Sequence, residues 1–307
     1  MADYSYIGSG KVYMRVAGAS AGLVEVGNCS NLNFSISEEA KELKDYTQGG
    51  GGLYNSVRRI SGVEVAMTLH DLNDDNLAVA TFGTSSAIAA GSVSNEALGN
   101  VYPGAIGPTA FPINTTQTVT VTHTQSAAAA RANTTAYALG DYILPAAANG
   151  YIYKATAAGT SAGSPPTYPT VVGDTVVDGT VTWTCVGKTT MVVNTDYTVS
   201  AAGITFLAAG ISSGEPAQVS YTKAAGNAVE ALLNSAQTYE LFFAGLNEAR
   251  SGKSVRVRAH KVTFGPAQNL SFIGEDYLAL ELSGKVSKDS TKNGTTVSQY
   301  FKADIVD

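Results

Sequence analysis

A chain of 307 residues, 44% hydrophobic and only 14% charged, can bury a sizeable core but carries little solvating charge. The net charge of -6 and a pI near 5.1 exclude a general nucleic-acid binder, which needs a basic stripe to neutralise phosphates. Cys29 and Cys185 lack any Cys-x-x-Cys spacing, so they are expected as buried or reduced thiols rather than a disulfide framework.

Strand patterns dominate from the start. Residues 11–16 read as a strand. In 32–37, Leu32, Phe34 and Ile36 alternate with Asn33, Ser35 and Ser37, the period of a half-buried strand. In 60–70, Val63, Val65, Met67 and Leu69 share one face, against Glu64, Ala66, Thr68 and His70. Between these strands, Glu38 to Val57 is first charged, then runs Asp45, Tyr46, Thr47, Gln48, Gly49, Gly50, Gly51, Gly52, Leu53, Tyr54. Four consecutive glycines cannot sit inside a regular element, so the segment predicts a long hairpin with a mobile tip. Composition leaves two readings of that tip: a solvated loop, or a segment that orders on contact with a neighbour.

One helix is expected from Asn73. Asn73 suits the N-cap, Asp74 and Asp75 suit the first turn, Leu77, Ala80 and Thr81 or Phe82 can face the core, and Gly83 ends it. Residues 117–124 form another alternating strand. The texture then changes: from 127 to 188 the chain is rich in Ala, Gly, Thr, Pro and Tyr. Its three basic residues balance its three acids, so the whole net charge lies outside it. It holds the single Trp, Trp183, and reads as an inserted module dividing the chain into 1–126, 127–188 and 189–307. A hairpin over 196–206, turning at Ala202-Gly203, and a strand over 217–222 come next. Strands at 237–244, 254–264, 275–284 and 296–306 close the chain. In the second of these, Arg256, Arg258 and His260 form a basic face.

Chemical motifs fail on inspection. Gly252-Lys253-Ser254 ends like a phosphate loop, but Asn247 stands where its first Gly belongs and a strand, not a helix, follows. Asp71, Asn73 and Asp75 resemble half a calcium loop, but Asn76 and Phe82 occupy the positions needing Gly and Glu. His70, His123 and His260 are scattered, and no Gly-x-Ser-x-Gly elbow exists. No catalytic residue, metal site or cofactor is expected, and the chain is not expected to be an enzyme. No signal peptide or membrane insertion is expected, because no basic-then-apolar leader and no long apolar run is found.

Three regions carry a resemblance. They are Tyr239 to Asn247 with Ser251-Gly252-Lys253 and Phe264-Gly265-Pro266-Ala267; Leu278 to Lys285 with Ser298 to Lys302; and Asn194 to Val199 with Gly203-Ile204. Together with the N-terminal strand pair, glycine loop and Asn73 helix, their order resembles the tail tube (major tail) proteins of long-tailed bacteriophages, over 1–125 and 189–307. The resemblance implies a mainly β fold: a tail-tube-type β-sandwich or partial barrel with one flanking α-helix, plus a small inserted all-β domain. It further implies a homo-oligomer of hexameric rings, stacked into a tube through which double-stranded DNA passes without specific binding. Partners implied are a tape measure protein and tail terminator or tail tip proteins. The location implied is the virion tail, after synthesis in the host bacterial cytoplasm. Residues 45–54 are then the expected ring-stacking loop. Glu38, Glu42 and Glu64 are candidates for an acidic lumen wall, against the plainer reading of solvated strand faces. The inserted module is similar to virion decoration modules and, distantly, to chitin-binding-type carbohydrate modules. Tyr142, Tyr151, Tyr153, Tyr168 and Trp183 are its candidate glycan contacts, against a purely structural role. Competing readings are the inner tube of a contractile tailocin or secretion-type machine, and a secreted carbohydrate-binding adhesin.

Overall fold

The computed structural model describes residues 4–47 and 49–306. It is mainly β, with one α-helix among the described residues and no sheet closed into a barrel. The chain forms two compact units: Met1–Ser86 with Asn227–Asp307, and Ala87–Gly226. These boundaries lie well outside the 126/127 and 188/189 divisions expected from composition. The reason is that strands flanking the neutral segment, Gly91–Val101, Thr120–His123 and Glu215–Lys223, pair with one another and belong to the same unit.

The first unit begins with β1 (Gly8–Val16), β2 (Val24–Glu25), β3 (Cys29–Lys44) and β4 (Leu53–Leu69), followed by α1 (Asp74–Thr81). One antiparallel sheet runs in the order β2, β1, Thr238–Asn247, Lys253–Phe264, Leu280–Val286, β4, β3, with Phe301–Ile305 also paired to Lys253–Phe264. The alternation expected in 60–70 is present: Val63, Val65, Met67 and Leu69 are buried, joined by Leu241, Val262, Phe264, Leu280 and Leu282. Leu32 and Phe34 pack on this core, and Phe34 stacks on Phe301 with ring centroids 5.2 Å apart. Ile36, next in the same row, is exposed, because the sheet ends beneath it.

The helix starts as expected, with the Asn73 side chain accepting from the Asn76 amide at 2.7 Å. Its buried residues are Asn76, Ala80 and Thr81, and the left-handed C-cap is Phe82, one residue before Gly83. Asn76 replaces Leu77 on the inner side because its amide donates to the carbonyls of Val26 and Asp71. The strand expected over 275–284 begins only at Leu280, and the last one spans Phe301–Ile305.

The second unit has two cores. One gathers Val121, Tyr197, Ile204, Phe206, Ala217 and Val219 beneath small three-stranded sheets. The other is built by Ile143, Tyr153, Ala155, Val181, Trp183 and Cys185, inside the neutral segment. The hairpin Tyr197–Ser200 and Gly203–Phe206 is present, but Glu215–Lys223 pairs elsewhere, between Gly91–Val101 and Thr120–His123.

Candidate assembly surface

Beyond the Glu64↔Lys285 pair, β4 has no neighbour except β3 among the described residues. The two strands continue as a ribbon for roughly 25–30 Å, at about 3.3 Å per residue. Bulges at Ser61 and Tyr54 raise its twist. Among the described residues both outer edges of the ribbon are unpaired, and both faces are open to solvent. Its apolar side chains are exposed: Ile36, Leu43, Tyr46, Leu53, Tyr54, Val57 and Ile60, with Tyr46 at 83%.

The tip carries a defined turn. The Asp45 amide donates to Gly52 O at 2.7 Å, and the Asp45 carboxylate accepts from the amide and hydroxyl of Thr47. Those two bonds hold the Asp45 carboxyl below its ordinary range. Gly50 and Gly51 have φ of 117° and 63°, which is why glycine is needed there. Gln48, expected in the stacking loop, lies outside the described residues.

The three acids expected on one wall do not share a face. Glu64 lies opposite Ser35 and Lys285 on the exposed side of the sheet. Glu38 and Glu42 continue the row of Phe34 and Ile36, on the other side, because side chains alternate along a strand. Glu38 is also ion-paired to Arg58 at 3.0 Å.

The exposed side of the sheet is mixed in charge rather than acidic. Lys11 pairs with Glu25 at 2.9 Å, Arg15 and Arg258 both bind Glu240, and Arg256 and Lys302 both bind Asp304. Burial alone would raise the Glu240 carboxyl, but the two arginines hold it below its ordinary value. The basic face expected at Arg256 and Arg258 therefore exists, but its charge is largely answered.

The aromatic residues of the neutral segment are mostly structural. Trp183 and Tyr153 are fully buried and offer no ring face to a sugar. Trp183 donates to Asp178 at 3.2 Å and meets Tyr137 edge-on at 4.9 Å. Tyr153 donates to Pro169 O and packs on Tyr168 at 4.6 Å. Tyr151 and Tyr168 are half-buried against the same core. Arg131 grips Asp178 with two donors at 2.9 and 2.8 Å, nearly without exposure. A small module spends its aromatics on its own core.

Tyr142, the last of the glycan candidates, has a different role. Its hydroxyl donates to Glu215 at 2.7 Å, and Lys154 binds the other Glu215 oxygen at 2.8 Å. His123, fully buried, accepts the Gln125 amide at Nδ1, so its proton sits on Nε2, 3.4 Å from Glu215. That last contact is too long for a good hydrogen bond. Burial alone would raise the Glu215 carboxyl, but His123, Lys154 and Tyr142 bring it down to about 2. Nothing in a single sequence marks Glu215 as the centre of such a node.

The remaining histidine chemistry is ordinary. His70 bonds Leu278 O at 2.7 Å and Ser30 at 2.8 Å, and no cluster of metal-ligating side chains occurs among the described residues. A strand follows Gly252, as the sequence indicated. No helix among the described residues is long and apolar enough to cross a membrane.

No curated protein matches the chain. A family model described as Protein of unknown function UCP028589 matches it over residues 5–168 and 153–304. Since those segments span nearly the whole sequence, the chain belongs to that family.

Proposed function

We propose that this protein is a structural subunit that polymerises, as a tail tube protein of a long-tailed phage does, into stacked rings around a bore that conducts double-stranded DNA. The observation that carries the reading is the β3–β4 ribbon: a long two-stranded arm with seven exposed large apolar side chains and two free edges. Open edges and exposed apolar rows are an aggregation liability in a monomer and an asset in an ordered polymer. The seven side chains are already partly covered, so their full burial contributes on the order of 5–10 kcal/mol. That matches the roughly 4–15 kcal/mol lost in one association. A single contact is marginal, whereas a lattice in which each copy meets several neighbours is stable. The order of sequence segments that resembles the tail tube proteins supports the phage assignment, and the low charge content supports burial against copies of itself.

Negative-stain electron microscopy of the purified protein is expected to reveal six-fold rings or flexible tubes at high concentration. A strictly monomeric protein at every concentration and salt condition tried would sink the reading. The carbohydrate-binding alternative is weakened by the burial of Trp183 and Tyr153.

A further inference from the structure

The two strands of the ribbon differ in charge. The β3 arm carries Glu38, Glu39, Glu42 and Asp45 against Lys41 and Lys44, a net of -2; the β4 arm carries Arg58 and Arg59 and no acid, a net of +2. Both arms expose an unpaired outer edge, since β3 ends the sheet and β4 has its second neighbour only from Glu64 inward. Within the ribbon, Arg58 already reaches Glu38, while Arg59 has no ion pair among the described residues.

We propose that ribbons of neighbouring copies pair side by side, the arginine-bearing arm of one against the acidic arm of the next. This specifies a contact within the polymer proposed above and rests on that reading. Charge selects it over the alternatives. Side chains directly opposite on adjacent strands lie about 5 Å apart, where opposite charges stabilise and like charges destabilise. Joining two β3 arms brings together two edges of net -2, and joining two β4 arms brings together two edges of net +2. Only the unlike pairing joins arms of opposite net charge, and it is head-to-tail. A head-to-tail contact makes rings or filaments rather than two-fold dimers.

Direction and register agree. In a ring all ribbons point the same way, so the β4 arm of one copy runs antiparallel to the β3 arm of the next, as it does to its own. Arg59 lies opposite Glu39 within the chain, and Arg58 opposite Ala40, between Glu38 and Glu42 on the same face. A neighbour at the same height therefore presents Glu39 to the unpaired Arg59, and presents Glu38 and Glu42 diagonally to Arg58. The free backbone groups along both edges complete a continuous sheet.

Cysteine cross-linking tests the arrangement on the full chain, with Cys29→Ser as background. Arg59→Cys and Glu39→Cys proteins are oxidised separately and as an equal mixture, and read on a non-reducing gel. A dimer-sized band in the mixture, at least tenfold stronger than in either protein alone, is expected. Strong bands in either single variant overturn the proposal in favour of a two-fold contact. Assemblies visible by electron microscopy without a mixture-specific band overturn the ribbon pairing while leaving the polymer intact. Absence of both assemblies and cross-links removes the polymer reading and this contact with it. Because each variant changes one residue on an exposed arm, circular dichroism matching the parent verifies that folding is unaffected.

Discussion

Glu215 receives donors from Tyr142 and Lys154 and lies 3.4 Å from the buried His123, and so ties the neutral segment to the strands that flank it. A carboxylate this buried is tolerated only while its partners are present. Glu215→Ala leaves Lys154 and His123 without their partner, and is expected to destabilise the Ala87–Gly226 unit by about 3–5 kcal/mol. Urea titration followed by the fluorescence of Trp183, which lies in that unit, measures this directly. The pH dependence has a defined sign. The Glu215 carboxyl is lowered from an ordinary 4.5 to about 2 on folding, so its contribution is complete above about pH 4.5 and is lost as pH falls through about 2. Glu215→Gln should flatten stability across that window, and an unchanged acid profile would refute the role assigned here. At this scale the sequence is least informative, since an acid at the start of a strand looks the same whether solvated or buried.

At the scale of elements, the ribbon separates strand formation from core formation. Its inner half is held by Val63, Val65, Met67 and Leu69, while its outer half has only cross-strand pairs and the Asp45 turn. Deleting residues 47–53 should therefore leave the sheet of the first unit folded, with a melting temperature within a few degrees of the parent, yet abolish tube growth. Tubes of unchanged length after the deletion would remove the tip from the stacking contact. The ribbon was legible in outline, because alternation and a glycine run mark a hairpin. Its reach was not: Glu38 to Lys44 is too charged to read as a strand, and becomes one because β4 lies alongside it. Conversely, Gly91–Val101 is a strand of eleven residues that its Ser-, Asn- and Gly-rich sequence does not announce, fixed by pairing with Glu215–Lys223.

For the whole molecule, the division into two compact units predicts how it unfolds. The cores of the first and second units share no residue. Trp183 reports only the second unit, whereas far-ultraviolet circular dichroism reports both. The two probes are expected to give non-coincident urea transitions, their midpoints separated beyond error. A single superimposable transition would mean that the units unfold as one. The distribution of charge also belongs to this scale. The acid excess does not collect on one sheet face: five cations answer three acids across β1 and the C-terminal strands, and Glu38 and Glu64 lie on opposite sides. A uniformly acidic conduit wall is therefore not supplied by those strands.

The sequence by itself determined the mainly β class, the cap of α1, the buried row of β4, the failure of the phosphate and calcium motifs, and a hairpin with a glycine tip. Each of these depends on side-chain period or on chemistry within a few residues, which is local information. Only the tertiary structure decided that Trp183 and Tyr153 are core rather than ligand-binding, that Tyr142 serves Glu215, and that the second unit spans 87–226. It also decided that the outer ribbon stands free with an acidic and a basic arm. Those facts depend on which distant strands meet, and an alternating strand specifies its two faces without specifying its neighbours.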